Sequence, residues 1–313
     1  MLQIGLITFI ISIICLITGQ RYFQSKNLVD KIVVRSSHNS IATRSGGLSI
    51  FATLFLITLY YYVSSNQIFD FSILIPIGIL FTIGLYDDIY QVDFKLKFIF
   101  QIIAAKIIVD QGFLIESLNG FFGIYEIPYI IGQFISIFVI VLISNAHNFT
   151  DGIDGLAITE TFKSLIIIIF ISNTGIDSGM NFIFIIIMCS LLPLYYFNFK
   201  KSKKVFLGDS GSLFLGGLIS VGIISIAQGI YINEFIISTP ILILICYLYP
   251  IIDLVRVVLI RLYKGKSPFI ADRNHIHHKL IDKGYSHALS VLIISVSTGL
   301  VQISLLLISS TSI

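Results

Sequence analysis

Five aspartates in three short polar stretches carry most of the chemistry this sequence could do: Asp87 and Asp88, Asp151 and Asp154, and Asp209. The middle pair lies in Asn145-Ala146-His147-Asn148-Phe149-Thr150-Asp151-Gly152-Ile153-Asp154-Gly155. Its two aspartates share a face if the turn is helical, and its glycines let the backbone turn tightly and come close to a ligand. A capped, solvated turn would use the same residue types. Asp87 and Asp88 close an apolar run. The C-terminal dipole of a helix is negative, so a divalent cation or a nearby Lys is expected to relieve them. Asp209 is the carboxylate of Phe206-Leu207-Gly208-Asp209-Ser210-Gly211-Ser212. The helix opening there has free N–H groups that favour an anion such as phosphate; Asp209 itself could cap that helix or bind a metal. Phe206 could stack on a base or anchor the helix in the membrane interface. A fourth stretch, Asp272-Arg273-Asn274-His275-Ile276-His277-His278-Lys279, has poor spacing for zinc and no Cys nearby. Its histidines, with Arg273 and Lys279, suit a polyanion such as a diphosphate. Oxygen ligands without Cys point to a hard cation, Mg²⁺ with Mn²⁺ as the alternative. Metal and phosphate groups at a membrane surface suggest phosphoryl transfer involving a lipid.

The elements that must position these residues are membrane helices. Hydrophobic residues make up 56% and charged residues 12% of the 313-residue chain, more apolar surface than a soluble protein of this length could cover. Ile-rich runs of helical length predict an all-α, polytopic integral membrane helix bundle in one domain, residues 1–313. Ten spans are expected, at 2–20, 46–63, 71–86, 98–115, 128–145, 156–172, 180–198, 211–230, 236–260 and 288–311. Lys106 and Asp110 interrupt the fourth. The run Leu2–Thr18 lacks a basic flank and a small-residue cleavage site, so it reads as a retained helix rather than a signal peptide. Cys15, Cys189 and Cys246 lie in apolar runs and read as core residues. A net charge of +3 is too small to imply nucleic acid.

Apart from Lys106 within the fourth span, Lys and Arg fall in or beside alternate connections. The connections 64–70, 116–127, 173–179 and 231–235 have none. Positive loops stay in the cytoplasm, so both termini are expected outside and every polar cluster is expected on the cytoplasmic side. A secondary transporter is the rival from another class, since carboxylates in membrane helices often mark ion paths. Transporter sites, however, lie near the bilayer midplane on broken helices, whereas these aspartates fall on one side and no inverted repeat is evident.

The order Asp-Asp, Asn-x-x-Asn-x-x-Asp-Gly-x-Asp-Gly, Phe-x-Gly-Asp-x-Gly-Ser and a His cluster resembles the polyprenyl-phosphate N-acetylhexosamine-1-phosphate transferases. The resemblance spans residues 35 to 285. It implies Mg²⁺-dependent transfer of a sugar-1-phosphate from a UDP-N-acetylhexosamine to a polyprenyl phosphate such as undecaprenyl phosphate, with UMP released. The muramoyl-pentapeptide branch typically has three consecutive His followed by Phe-Glu, and Pro-Thr-Met-Gly-Gly in its first loop. Here the corresponding stretches are His275-Ile276-His277-His278-Lys279 and Ala42-Thr43-Arg44-Ser45-Gly46-Gly47. The segment Ser267-Pro268-Phe269 through His278, with Arg35-Ser36-Ser37-His38, looks instead like the branch that starts O-antigen and related surface glycans, including members that handle 6-deoxy sugars. The resemblance implies that Asp209 and Asp87 ligate the metal. It further implies that Asp87 and Asp88 orient or deprotonate the lipid phosphate, and that Asp151 and Asp154, with Asn145 and Asn148, shape the nucleotide-sugar site. Phe206 would lie near uracil, and Lys97, Arg273, His275, His277 and His278 would hold phosphates or sugar. The expected setting is the inner (plasma) membrane among its lipids, with a cytoplasmic active site and a homodimer as a compatible assembly.

Overall fold

The computed structural model describes residues 2–30, 42–64, 69–172, 178–228, 237–267 and 272–310. These residues are mainly helical, apart from the connecting segments, the longest of them 111–128, and one pair of two-residue strands. The helices are α1 (Leu2–Ser25), α2 (Gly46–Val63), α3 (Leu74–Tyr90), α4 (Phe94–Asp110), α5 (Tyr129–Thr150), α6 (Leu156–Ser172), α7 (Ser178–Phe199), α8 (Gly208–Ala227), α9 (Thr239–Tyr263), α10 (Ile276–Asp282) and α11 (His287–Ser310). Each expected span corresponds to one helix, and α10 is an additional short helix in the His stretch. Eight of the described helices are long and apolar enough to cross a bilayer. Neither α4 nor α6 is among these, each having 17 residues, or about 25 Å of rise. Arg35–His38 and residues 268–271, which carried part of the resemblance, lie outside the described residues.

The boundaries differ from expectation where polar residues continue a helix. The Asn145–Thr150 stretch forms the last turns of α5, so the polar break shrinks to Asp151–Gly155. Likewise α8 opens at Gly208, so that Asp209 is in its first turn. Apolar stripes point away from the protein on the outer helices: Leu6, Ile10 and Ile14 on α1, and Leu292, Val296 and Leu300 on α11, are each about half or more exposed. Spaced four apart, they form one face of each helix, as contact with lipid requires.

The chain divides into two compact units, each assembled from separated stretches. One comprises residues 1–104 and 176–215, the other 105–175 and 216–313. In the first, α1 packs on α2 and α7, and α2 also packs on α3. Here β1 (Ala42–Thr43) pairs in parallel with β2 (Lys204–Val205). This pairing runs on into helix: the first N–H groups of α2, Gly46 and Gly47, donate to the carbonyls of Phe206 (2.9 Å) and Leu207 (2.8 Å). Two donors that a helix start leaves unpaired thereby fix the backbone just ahead of α8.

In the second unit α9 is the hub, packing on α5, α6 and α11. It is broken at Tyr247, whose φ of −145° and ψ of 48° are not helical, three residues before Pro250. Proline removes one helical donor, which leaves a carbonyl one turn earlier in need of another partner. The Gln302 side chain of α11 donates to the Ile245 carbonyl at 2.8 Å, meeting the requirement that backbone groups within a membrane be satisfied by the protein.

Candidate functional site

The first unit gathers Asp87, Asp88, Lys97, Asp209 and Arg44. Asp87 and Asp88 end α3, and Lys97 lies in the first turn of α4. The Lys97 ammonium donates to Asp87 Oδ2 at 2.7 Å and also to Asp209 Oδ2. The cation expected beside the helix exit is thus, within the protein itself, a lysine. It neutralises two carboxylates brought from different helices. All three side chains are partly accessible, at 15% for Asp87, 17% for Lys97 and 21% for Asp209, so the cluster can be reached from outside.

Asp88 is used differently. Its side chain is fully buried, and its two oxygens accept the backbone N–H groups of Asp209 and Ser210, each at 2.9 Å. The anion favoured at the start of α8 is therefore this carboxylate. Gly208, with φ +74°, is where the chain passes closest: a Cβ there would lie 2.6 Å from Asp88 Oδ2. Arg44 lies 3.8 Å from Asp88 Oδ1 and bonds Asp30 Oδ1 at 3.0 Å. Phe206 is half-buried, its backbone held at both ends by the β1–α2 segment.

As a metal site this cluster offers two hard oxygen donors, Asp87 and Asp209, already converging on one positive charge. Mg²⁺ is typically bound by one or two carboxylates, with water and substrate phosphates completing six positions. The donor set fits that ion in chemistry and number. Asp87 Oδ1 also accepts the Val92 N–H at 2.8 Å, but its side chain is partly accessible, whereas Asp88 has no exposed side-chain surface, so Asp87 and Asp209 are the better placed ligands.

The second unit gathers the Asn/Asp stretch and the His stretch. Asn145 donates to the Val141 carbonyl at 2.8 Å. Asp151 closes α5, its N–H donating to the Asn148 carbonyl at 3.2 Å. Asn145, Asn148 and Asp151 are all half-exposed and three apart, on one side of the helix end. Asp154 is instead buried, with His287 Nδ1 2.9 Å from its Oδ2. His147, between the asparagines, is fully buried, its ring nitrogens meeting the Tyr247 hydroxyl and, at 3.0 Å, the Thr161 hydroxyl. It ties α5 to α6 and to the break in α9.

In the His stretch, His275 Nδ1 lies 2.8 Å from Asp253 Oδ2, and His277 Nδ1 lies 3.0 Å from the Tyr249 hydroxyl. His277 Nε2 is buried without a partner. It faces Gly152, where any Cβ would collide with the ring, so the His stretch and the Asp151–Gly155 turn are in direct contact. Burial, with His278 and His275 nearby, holds the His277 imidazole far below its ordinary pKa. Burial and the Arg273 charge bring His278 down to about 4. Both rings are therefore neutral at pH 7. They can serve a diphosphate or sugar as single hydrogen-bond donors or acceptors, while positive charge must come from arginine and lysine. Arg273 itself bonds Asp282 at 2.6 Å at the surface. Arg261 grips Asp272 through two bonds, at 2.9 and 3.0 Å. This guanidinium holds the Asp272 carboxyl well below the usual range and fastens the start of the stretch to α9.

Sequence reasoning passed over Arg44, Tyr249, Asp253, Arg256 and His287. For Asp253 a signal existed: Ile251-Ile252-Asp253-Leu254 places a carboxylate inside a membrane-length helix, which is costly unless it has a partner and a use. The sequence held no comparable signal for Tyr249 and His287.

Residues 70–227 match the profile of a family described as Glycosyl transferase family 4. Among curated proteins, the chain is 32% identical over 296 residues to a probable undecaprenyl-phosphate N-acetylglucosaminyl 1-phosphate transferase of Bacillus subtilis, covering 91% of this chain and 78% of that one. It is 28% identical to the undecaprenyl-phosphate alpha-N-acetylglucosaminyl 1-phosphate transferase of Yersinia pestis, over 93% of this chain and 80% of the relative. The protein of the same description from Escherichia coli K12 is 27% identical, over 93% and 79% respectively.

Proposed function

The chain belongs to glycosyl transferase family 4, and from that premise we propose that it transfers an N-acetylhexosamine-1-phosphate from a UDP-sugar to undecaprenyl phosphate. The sugar is N-acetylglucosamine or a relative, 6-deoxy forms included. UMP is released, and the lipid product starts a surface glycan such as O-antigen. The observation that carries this reading is the convergence of Asp87 and Asp209 on a single cationic position, with Asp88 fixing the backbone that presents Asp209. The reaction takes place at the cytoplasmic face of the inner membrane, the side to which the charge distribution assigns these residues.

An oxygen of the lipid phosphate attacks the phosphorus that bears the sugar. The bond from that phosphorus to the oxygen bridging the two phosphates breaks, and UMP leaves with that oxygen. The sugar C1–O bond is untouched, so the anomeric configuration is retained. Because the acceptor is already an anion, the protein mainly has to bring two anions together and offset their charge. Asp87 and Asp209 would hold Mg²⁺, which when bound neutralises the diphosphate and the developing charge on the leaving group. Lys97 contributes a second positive charge at the same carboxylates, and Asp88 acts by holding Asp209 in place. Asn145, Asn148 and Asp151, half-exposed at the end of α5, contact the nucleotide sugar. The neutral His277 and His278 hydrogen-bond its diphosphate or sugar.

The test is to incubate the purified protein with Mg²⁺, undecaprenyl phosphate and a panel of UDP-N-acetylhexosamines, measuring UMP and the lipid product. The expected result is UMP release that requires both the lipid phosphate and the metal, with a new lipid diphosphate sugar. Absence of UMP release across the panel would overturn the reading.

A further inference from the structure

We propose that Asp253 and Tyr249 of α9 are positioning residues that set the hydrogen-bonding direction of His275 and His277 toward the sugar nucleotide. The proposal rests on the transferase reading above. Asp253 is buried at 3% exposure, His275 at 5% and His277 at 1%. The Asp253 carboxylate is saturated. Oδ2 faces His275 Nδ1 at 2.8 Å, while Oδ1 accepts the Ile276 N–H at 3.1 Å and the Arg256 guanidinium at 2.6 Å. An ionised carboxylate only accepts, so the His275 proton is held on Nδ1, leaving Nε2 to face other groups. A histidine ring is set in this way wherever one nitrogen must be kept for another partner.

Tyr249 orients His277, its hydroxyl meeting Nδ1 at 3.0 Å; because a phenol both donates and accepts, it fixes the direction of the ring and of Nε2 rather than the tautomer. The other nitrogen, Nε2, is buried with no partner and is directed at Gly152 in the turn between Asp151 and Asp154. A buried ring nitrogen without a partner costs free energy that the fold does not recover. That cost is recovered if the nitrogen's hydrogen bond is made to substrate held at this turn. The two rings are nearly parallel, 5.4 Å apart with 15° between their planes, so α9 presents them as a pair.

The same residues, Asp253, His275 and His277, can bring one ligand atom each within 4.8 Å of one another, which is also a geometry for a transition metal. Three donors already occupy the Asp253 oxygens, however. A metal there would have to displace the Arg256 guanidinium and the His275 proton. Hydrogen bonding explains the arrangement without that loss.

The experiment uses the full-length protein labelled with ¹⁵N-histidine, together with Asp253→Asn and the milder Tyr249→Phe, which removes a single hydroxyl. In the unmutated protein the ring-nitrogen shifts should report His275 protonated at Nδ1, and in Asp253→Asn that signature should be lost. Both variants should lose roughly tenfold to a hundredfold in kcat/KM for the UDP-sugar, the worth of one strong hydrogen bond. The KM for the lipid phosphate should stay unchanged, a split that general loosening of the fold would not produce. The proposal is overturned by an unchanged His275 signature in Asp253→Asn, by normal donor kinetics in Tyr249→Phe, by equal loss toward donor and lipid, or by stoichiometric transition metal in the purified protein. Absence of transfer by the unmutated protein overturns the transferase reading instead, and the ring-nitrogen signature still decides the pairing.

Discussion

Asp88 and Asp209 carry the same functional group but do different work. Asp88 is buried and spends both oxygens on the first N–H groups of α8; Asp209 is partly exposed and shares a lysine with Asp87. Replacing each by Asn separates the two. Asp88→Asn keeps one acceptor but turns an NH₂ donor toward a backbone donor. It should lower stability by about 1–3 kcal/mol, the cost of a buried bond lost, with activity falling because Asp209 is no longer held. Asp209→Asn should leave the thermal transition near that of the parent while turnover drops roughly a hundredfold or more, on the scale of losing a few kcal/mol of charge stabilisation. Thermal unfolding in detergent and UMP release measure the two effects side by side; normal turnover in Asp209→Asn would reduce that residue to a helix cap. The sequence marked all five aspartates as chemically special but could not divide them in this way. The division is set by bonds between residues 121 and 122 positions apart, and no local pattern records them.

The His stretch shows what an element adds to its residues. As a string, His275-Ile276-His277-His278 with Arg273 and Lys279 reads as a cationic loop. Folded onto α9, His275 and His277 are buried, and the rings of His277 and His278 are held neutral. Periodicity alone could not reveal this, because the burial comes from α9 and from the Asp151–Gly155 turn rather than from neighbours in sequence. Both pKa values lie below the ordinary 6.5, so the unfolded chain takes up protons first as pH falls. The neutral histidines therefore contribute their full stability above about pH 6.5; His278 loses its part as pH drops toward 4, and His277, held well below its ordinary value, adds to the loss on the acid side of 6.5. Asp272, also depressed, acts later, below its ordinary 3.8. The thermal transition should fall across pH 6.5 to 4, and His278→Gln should flatten part of that fall. A transition that stays level over this range would show that the rings protonate freely in the folded protein.

At the scale of the whole molecule, the membrane segments were the most legible feature, because twenty-odd apolar residues in a row have few other uses. Each expected span became a helix, with errors at the edges where α5 and α8 carry polar residues within their helical turns. The division into two units, each drawn from separate stretches of chain, was not legible, since hydrophobic pattern says which residues are buried and not which helices they meet. Orientation is a separate matter, carried by charge alone. Loop 116–127 has no Lys or Arg, whereas 200–204 has Lys200, Lys201, Lys203 and Lys204; moving such a cluster across the bilayer is opposed, so the second loop is expected in the cytoplasm and the first outside. Tyr125, 70% exposed, and Ser202, also exposed, are suitable reporters in a background with Cys15, Cys189 and Cys246 replaced. Tyr125→Cys should react with an impermeant thiol reagent added to intact cells, and Ser202→Cys should react only after the membrane is opened. That labelling pattern, with all ten expected spans crossing, would place both termini outside and the loops bearing Asp87, Asp151, Asp209 and His275 in the cytoplasm. The reverse labelling pattern would put every one of these residues on the wrong side of the membrane for a nucleotide-sugar donor, and the proposed reaction would fall with the topology.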